Sequence, residues 1–103
     1  MRHIAYSNTF DRQIADYIEQ GELSFGVAVT TAKKNLVYST IRNILASNPG
    51  VKRADPKLGL VVYPISKTPF FVVYDYDDVE LRMHFIFING KPLDTIDPSS
   101  AVW

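Results

Sequence analysis

The spacing of apolar residues changes from one regular period to another close to residue 50 of this chain. From Phe10 to Leu45 apolar residues recur every three or four positions, which is the period of an amphipathic helix. Beyond residue 50 they run in short segments rich in Val, Ile, Phe and Tyr, which are typical of β-strands. Pro49-Gly50 stands between the two parts, where a helix is expected to end. The sequence therefore predicts helices followed by a sheet, an α+β domain.

Two helices are predicted in the first part. One begins after an N-cap at Asn8 or Thr9 and ends at Gly21, and the other runs from Ser24 to about Ser47. Their apolar stripes are Phe10, Ile14, Tyr17 and Ile18 in the first helix and Val29, Ala32, Leu36, Val37, Ile41, Ile44 and Leu45 in the second. Because few residues separate the two helices, we expect an antiparallel αα-hairpin.

Three strands are predicted in the second part, over Leu58–Ile65, Pro69–Tyr76 and Val79–Ile88. The connections between them are short, so neighbouring strands must be antiparallel. The alternation in Arg2–Tyr6 fits an edge strand at the start of the chain. We therefore expect the order β-α-α-β-β-β, an antiparallel β-sheet with an N-terminal αα-hairpin packed on one face.

Composition narrows the classes of function. The 103 residues suffice for a single domain, 1–103, with 89–103 as a C-terminal tail. Eleven basic residues balance eleven acidic ones, which excludes a protein that coats nucleic acid by charge alone. No cysteine and only two histidines are present, so neither a metal nor another cofactor is expected. No apolar run is long enough for a membrane span or leader, so we expect a cytoplasmic protein without membrane contact.

The balanced total conceals an uneven distribution of charge. Seven basic and four acidic side chains lie up to Arg53, so this part carries +3 and the remainder carries −3. This distribution predicts either a basic and an acidic face or an ordinary solvated surface. The acidic run from Asp75 to Glu80 likewise has two interpretations: a cation site, or a hairpin turn, in which Asp is favoured.

Basic side chains capable of phosphate chemistry occur in two places. Lys52 and Arg53, with Lys57, precede the first long strand, while Arg82 and His84 lie two residues apart in the last one. Strand alternation places Arg82 and His84 on one sheet face and Leu81, Met83, Phe85 and Phe87 on the helix face. If the two places meet, Lys and Arg would hold an RNA phosphate and His84 would act as acid or base. The alternative is that His84 is a half-exposed strand residue paired with Glu80 or a tyrosine.

The second half, GLVVYPISKTPFFVVYDYDDVELRMHFIF, resembles the RelE/ParE superfamily of type II toxins. The points of likeness are an apolar-Pro-apolar turn, an apolar run ending in Tyr, an acidic turn and an alternating last strand. They fall on Tyr63-Pro64-Ile65, Phe71–Tyr74, Asp77-Asp78 and Val79–Phe87. With the helical hairpin, the resemblance spans Met1 to Phe87 and implies a toxin neutralised by a small cognate antitoxin.

The branch of the superfamily sets the implied mechanism. RelE-like members are ribosome-dependent, metal-independent mRNA endoribonucleases, and on that reading Lys52, Arg53, Arg82 and His84 would be catalytic. Phe85 and Ile88-Asn89-Gly90-Lys91 depart from the arginine and His-Gly-x-Arg segment that many nuclease members carry there. The ParE-like reading, a DNA gyrase poison acting by protein contact, is therefore favoured, with an inactive relative as a further possibility.

The resemblance also implies how an antitoxin would bind. An amphipathic segment would cross the groove between hairpin and sheet, or add a strand to a sheet edge. The expected anchors are the apolar hairpin residues that cannot all face the sheet, namely Tyr17, Ile18, Val37, Tyr38 and Ile41. The alternative is that these side chains complete the protein's own core.

Overall fold

The structure is a computed structural model that describes residues 1–103. Its elements are β1 (His3–Tyr6), α1 (Asn8–Phe25), α2 (Val27–Thr40), a π-helical turn (Ile41–Leu45), a 3₁₀ turn (Pro49–Val51), β2 (Val61–Pro64), β3 (Phe70–Tyr76), β4 (Glu80–Ile88) and a second 3₁₀ turn (Leu93–Thr95). The predicted order of helices and strands is confirmed. None of the helices combines the length and apolar character that crossing a membrane requires.

The four strands form one mixed sheet in the order β1-β4-β3-β2. The β2–β3 and β3–β4 pairs are antiparallel, as their short connections require. β1 lies at an edge, as expected, but pairs parallel with β4, with His3 opposite Glu80 and Tyr6 opposite Met83. The sheet is therefore antiparallel over its last three strands only.

The αα-hairpin is present, but its helices end at other residues than the sequence indicated. Ser7 is the N-cap of α1, since its hydroxyl accepts a hydrogen bond from the Phe10 amide at 2.8 Å. Gly21 lies inside α1, and the chain leaves the helix only at Gly26, whose φ of 89° favours glycine. A Cβ at Gly21 would lie 2.9 Å from Thr30 Oγ1. Gly21 thus permits close helix packing rather than ending the helix.

β4 contains a bulge at His84. Val73 pairs with Phe85 and Tyr74 with Met83, so His84 is the extra residue on β4. Leu81, Met83 and Ile86 pack under the helices, whereas Phe85 and Phe87 face the opposite side of the sheet. The expectation that Phe85 and Phe87 face the helices is wrong, because the bulge reverses the alternation.

The side chains of Ser7, the N-cap of α1, and of Gln13 in α1 complete the hydrogen bonding of β4 beyond the end of β1. β1 pairs with β4 only as far as Met83, because the chain then turns into α1. Ser7 Oγ donates to the His84 carbonyl at 2.6 Å, and the Ile86 amide donates to Gln13 Oε1 at 2.9 Å. These two bonds satisfy β4 groups that have no strand beside them.

Two apolar clusters lie on opposite faces of the sheet. The larger cluster joins the hairpin to the sheet and includes Phe10, Ile41 and Tyr74, all fully buried. The smaller cluster, on the other face, consists of Leu58, Leu60, Phe71, Val73, Phe85 and Ile96. The C-terminal tail therefore covers part of the sheet face that the helices leave free.

Candidate functional site

Arg82 lies among three carboxylates on the sheet face opposite the helices. Its Nε is 2.9 Å from Asp75 Oδ1 and its Nη2 is 3.4 Å from Asp75 Oδ2, so this pair is bidentate. Its Nη1 donates to Asp77 at 2.9 Å and to Glu80 at 3.3 Å. Arg82 and Asp75 are brought together by direct pairing across β3 and β4. The guanidinium is thus surrounded by an excess of negative charge.

These contacts shift the pKa values of the partners. Burial by itself raises the pKa of Asp75, but hydrogen bonds from Arg82 and His84 outweigh it and lower the pKa below the usual range. The hydrogen bond from Arg82 lowers the pKa of Asp77 to about 2. Hydrogen bonds to Asp75 and Asp77 raise the pKa of Arg82. All three groups are therefore ionised at neutral pH, and the cluster is acidic overall.

His84 is held on both sides of its ring. Its Nε2 is 3.0 Å from Asp75 Oδ1, and its Nδ1 is buried without a hydrogen-bond partner. The Trp103 ring meets it edge-on, with 4.9 Å between centroids. The side chain is 13% exposed. The tautomer that carries its proton on Nε2 suits this environment. Its Nε2–H donates to Asp75, and the buried Nδ1 has no N–H that would require an acceptor. The expected pairing with Glu80 or a tyrosine is replaced by pairing with Asp75.

The acidic turn between β3 and β4 follows the hairpin interpretation. Asp77 Oδ1 accepts hydrogen bonds from the amides of Val79 at 2.9 Å and Glu80 at 2.8 Å. This is the role in which Asp is favoured at turns. Asp77 Oδ2 and Glu80 Oε1 face Arg82, and no group of three potential ligands is arranged around a metal position.

Lys52 and Arg53 lie in the exposed loop before β2. No ion pair or hydrogen bond joins either side chain to Arg82, His84 or the carboxylates around them. In the sheet, β3 separates β2 from β4. No hydrogen bond therefore links the two basic places identified in the sequence, and Arg82 pairs with acids instead.

A groove of about 600 Å³ opens between the αα-hairpin and the β2–β3 turn. Its apolar lining includes Tyr17, Ile18, Val29, Phe70 and Ile88. The lysines that line it are Lys33, Lys34 and Lys67, and Lys33 Nζ donates to the Lys67 carbonyl at 3.1 Å. The neighbouring tip of the hairpin exposes Leu23, Phe25 and Val27. The result is an apolar surface bordered by positive charge.

The five expected antitoxin anchors differ in their surroundings and in how far they are buried. Tyr17 and Ile18 are partly buried and line the groove. Tyr38 packs edge-on against Tyr6, with 5.7 Å between ring centroids. Val37 and Ile41 are fully buried in the larger cluster, as the alternative of completing the protein's own core predicts, although Val37 also lines the groove. The helical stripe did not reveal this, because periodicity identifies an apolar face without saying what covers it.

Two contacts were not predicted from the sequence: the surroundings of His84 and the pairing of lysines across the groove. Trp103 and Asp75 were not connected with His84, because a distant tail and a neighbouring strand bring them there. Lys67 lies opposite Lys33 although 34 residues separate them. The pair Lys33-Lys34 beside apolar helix positions was the available signal, but its partner across the groove depends on tertiary structure.

Comparison with known proteins identifies the fold. No protein-family profile matches the sequence, and no curated protein matches it significantly. A chain of the solved structure titled "Chromosomal ParDE TA system from P. aeruginosa" superposes with a TM-score of 0.73 at 11% identity. The match covers 85% of this chain and 96% of that chain. At this identity the likeness concerns the fold, and it confirms the fold that the sequence resemblance implied.

Proposed function

We propose that this chain is the toxin of a type II toxin–antitoxin module and acts in the ParE manner, by poisoning DNA gyrase through protein contact. The observation that carries the proposal is the shared fold with a chain of a ParDE system, across nearly the whole of both chains. A cognate antitoxin is the implied partner. Action on DNA gyrase would place this chain in the cytoplasm.

The chemistry around Arg82 supports protein contact over RNA cleavage. A phosphate approaching Arg82 would meet Asp75, Asp77 and Glu80 first, and repulsion between like charges opposes its binding. His84 already uses Nε2 on Asp75, and its other nitrogen is buried. Neither side chain is disposed to stabilise the charge that develops during phosphodiester cleavage.

One observation favours the RelE-like alternative. Lys52 and Arg53 are exposed and free of ion pairs, so they remain available to phosphate. A ribosome-dependent, metal-independent mRNA endoribonuclease built on these residues would leave a 2′,3′-cyclic phosphate. If the chain generated that product and Lys52→Ala did not, the endoribonuclease would replace gyrase poisoning as the proposed function.

The gyrase proposal is tested with the purified chain, purified gyrase and supercoiled plasmid. We expect linear plasmid to accumulate after protein denaturation, because a poison stabilises the cleaved DNA intermediate. His84→Ala should leave this accumulation unchanged. Normal supercoiling without trapped breaks, at a large excess of the chain, would contradict the proposal.

We further propose that the antitoxin docks in the lysine-bordered groove. The groove joins apolar surface to positive charge, which suits an acidic amphipathic segment. Val29 lines the groove with 48% of its surface exposed, so Val29→Glu should weaken antitoxin binding at least about tenfold. Val79→Glu is the matched control, since Val79 is also exposed and lies at the β3–β4 turn. Equal weakening by both variants would place the antitoxin elsewhere.

A further inference from the structure

The C-terminal residues cross the sheet face opposite the helices without joining the sheet. Apart from the short turn Leu93–Thr95, residues 92–103 contain no helix or strand. Ile96 is buried against the smaller apolar cluster, and Leu93 and Ala101 are partly buried there. We call residues 92–103 the strap.

The strap is hydrogen-bonded to the rest of the chain at one point only. All of its hydrogen bonds to other parts of the protein involve Val102 or Trp103. The Val102 carbonyl accepts from the amides of Asn8 at 2.6 Å and Thr9 at 3.3 Å, and the Val102 amide donates to Thr9 Oγ1 at 2.9 Å. Asn8 Nδ2 donates to the Trp103 carbonyl at 3.2 Å. We call this set of bonds the clasp.

Between β4 and the clasp, the strap bonds only to itself. Thr95 and Ile96 donate backbone bonds to Pro92 and Leu93, and Ser99 and Ser100 bond to Asp97. Opening the clasp therefore breaks four hydrogen bonds, at residues that are exposed or partly exposed, and leaves every strand pairing intact. A segment held by four hydrogen bonds and one buried side chain, Ile96, is expected to open below the free energy of global unfolding.

The strap packs against two features of the sheet face opposite the helices, to which Leu58 and Leu60 also contribute. One is the apolar sheet face that includes Phe71, Val73 and Phe85. The other is the ring of His84, against which Trp103 packs. We propose that the strap is a lid that opens as a unit at the Asn8–Thr9 clasp, while helices and strands stay folded, and so gives access to this face. The inference does not depend on the cellular target.

Adjacent residues of β3 provide a matched test. Val72 and Val73 are both fully buried, but Val72 lies in the larger cluster under the helices and Val73 in the smaller cluster, which includes Ile96 of the strap. The chain has no cysteine, so Val72→Cys and Val73→Cys each introduce a single thiol. In native buffer we expect a thiol reagent to label Cys at 73 at least about tenfold faster than at 72, once rates are corrected for the stability of each variant. Equal corrected rates would overturn the proposal, because the strap would then open only on global unfolding.

The clasp is tested by adding Thr9→Val to each cysteine variant. This change removes the acceptor of the Val102 amide and keeps the side-chain shape. The labelling rate at 73 should rise at least about threefold while that at 72, corrected for stability, stays constant. Trp103 is the single tryptophan, so quenching of its fluorescence by acrylamide should rise in parallel. An unchanged ratio of the two labelling rates with unchanged quenching would show that Thr9 does not fasten the strap.

Discussion

Arg82 is positioned by strand register and surrounded by carboxylates from the neighbouring strand and turn. Sequence alternation correctly placed it on the same face as Glu80, and the acidic turn was visible as Asp77-Asp78. Its bidentate contact with Asp75 was not predictable, because the β3–β4 register decides which residue lies opposite. Arg82, which would hold phosphate only under the ribonuclease alternative, pairs with carboxylates of the protein itself.

We expect Arg82→Met to lower the free energy of unfolding at pH 7 by about 1–2 kcal/mol, because three carboxylates would lose their shared cation. Urea denaturation measures the change. Arg53→Met is the matched control, since Arg53 is exposed and has no ion pair, and it should change stability by less than about 0.5 kcal/mol. Equal effects of the two substitutions would mean that the cluster contributes nothing to stability.

The same cluster predicts the pH dependence of stability. The lowered pKa values of Asp75 and Asp77 give stability that is fully present above the ordinary carboxyl pKa of about 4. This contribution is lost as the pH falls from about 4 towards the folded pKa, about 2 for Asp77. We expect urea midpoints to fall over this range and to fall less steeply in Arg82→Met. A parallel decline in both proteins would show that Arg82 is not the cause.

At the level of elements, backbone irregularities account for most differences between expectation and structure. The β4 bulge has no glycine or proline to announce it, so alternation placed Phe85 and Phe87 on the wrong face. Gly21 was read as a helix end because glycine is common there, whereas close packing against Thr30 requires it inside α1. The elements themselves were predictable, because each carries a clear period of apolar residues.

Gly21→Ala should destabilise the hairpin although alanine favours helix. Its Cβ would lie 2.9 Å from Thr30 Oγ1 and 3.1 Å from Thr30 Cγ2, and a β-branched side chain adapts poorly. We expect a net loss of about 1–2 kcal/mol by thermal or urea unfolding. Adding Thr30→Ala should recover most of it, since the Thr30 hydroxyl has no hydrogen-bond partner. A Gly21→Ala protein as stable as the parent would contradict this account of the helix contact.

Gln13 should matter through the single backbone amide that it satisfies. Ile86 is fully buried, and Gln13→Leu would leave its amide without an acceptor, at a cost of about 1–2 kcal/mol. Gln13→Glu retains an acceptor oxygen and should cost less than Gln13→Leu in the same urea titration. If both variants unfold at the parent midpoint, the Ile86 amide does not depend on Gln13.

At the scale of the whole molecule, the α+β class, the element order and the edge position of β1 were available from the sequence. The resemblance implied a groove between hairpin and sheet, but the lysines that border it were not predicted, because the groove combines residues from α1, α2, the β2–β3 turn and the end of β4. The covered second sheet face was equally hidden, since a proline-containing tail gives no periodic signal. Local patterns specify elements, whereas the sites depend on how distant elements meet.

We propose that the chain acts on gyrase by protein contact and does not cleave RNA. The most direct measurement is controlled induction in a bacterial host, with chromosome integrity and mRNA ends followed together after growth stops. We predict double-strand breaks, an SOS response and intact mRNA, all unchanged in His84→Ala. Codon-phased mRNA cuts on ribosomes that disappear in a folded His84→Ala protein would contradict the claim.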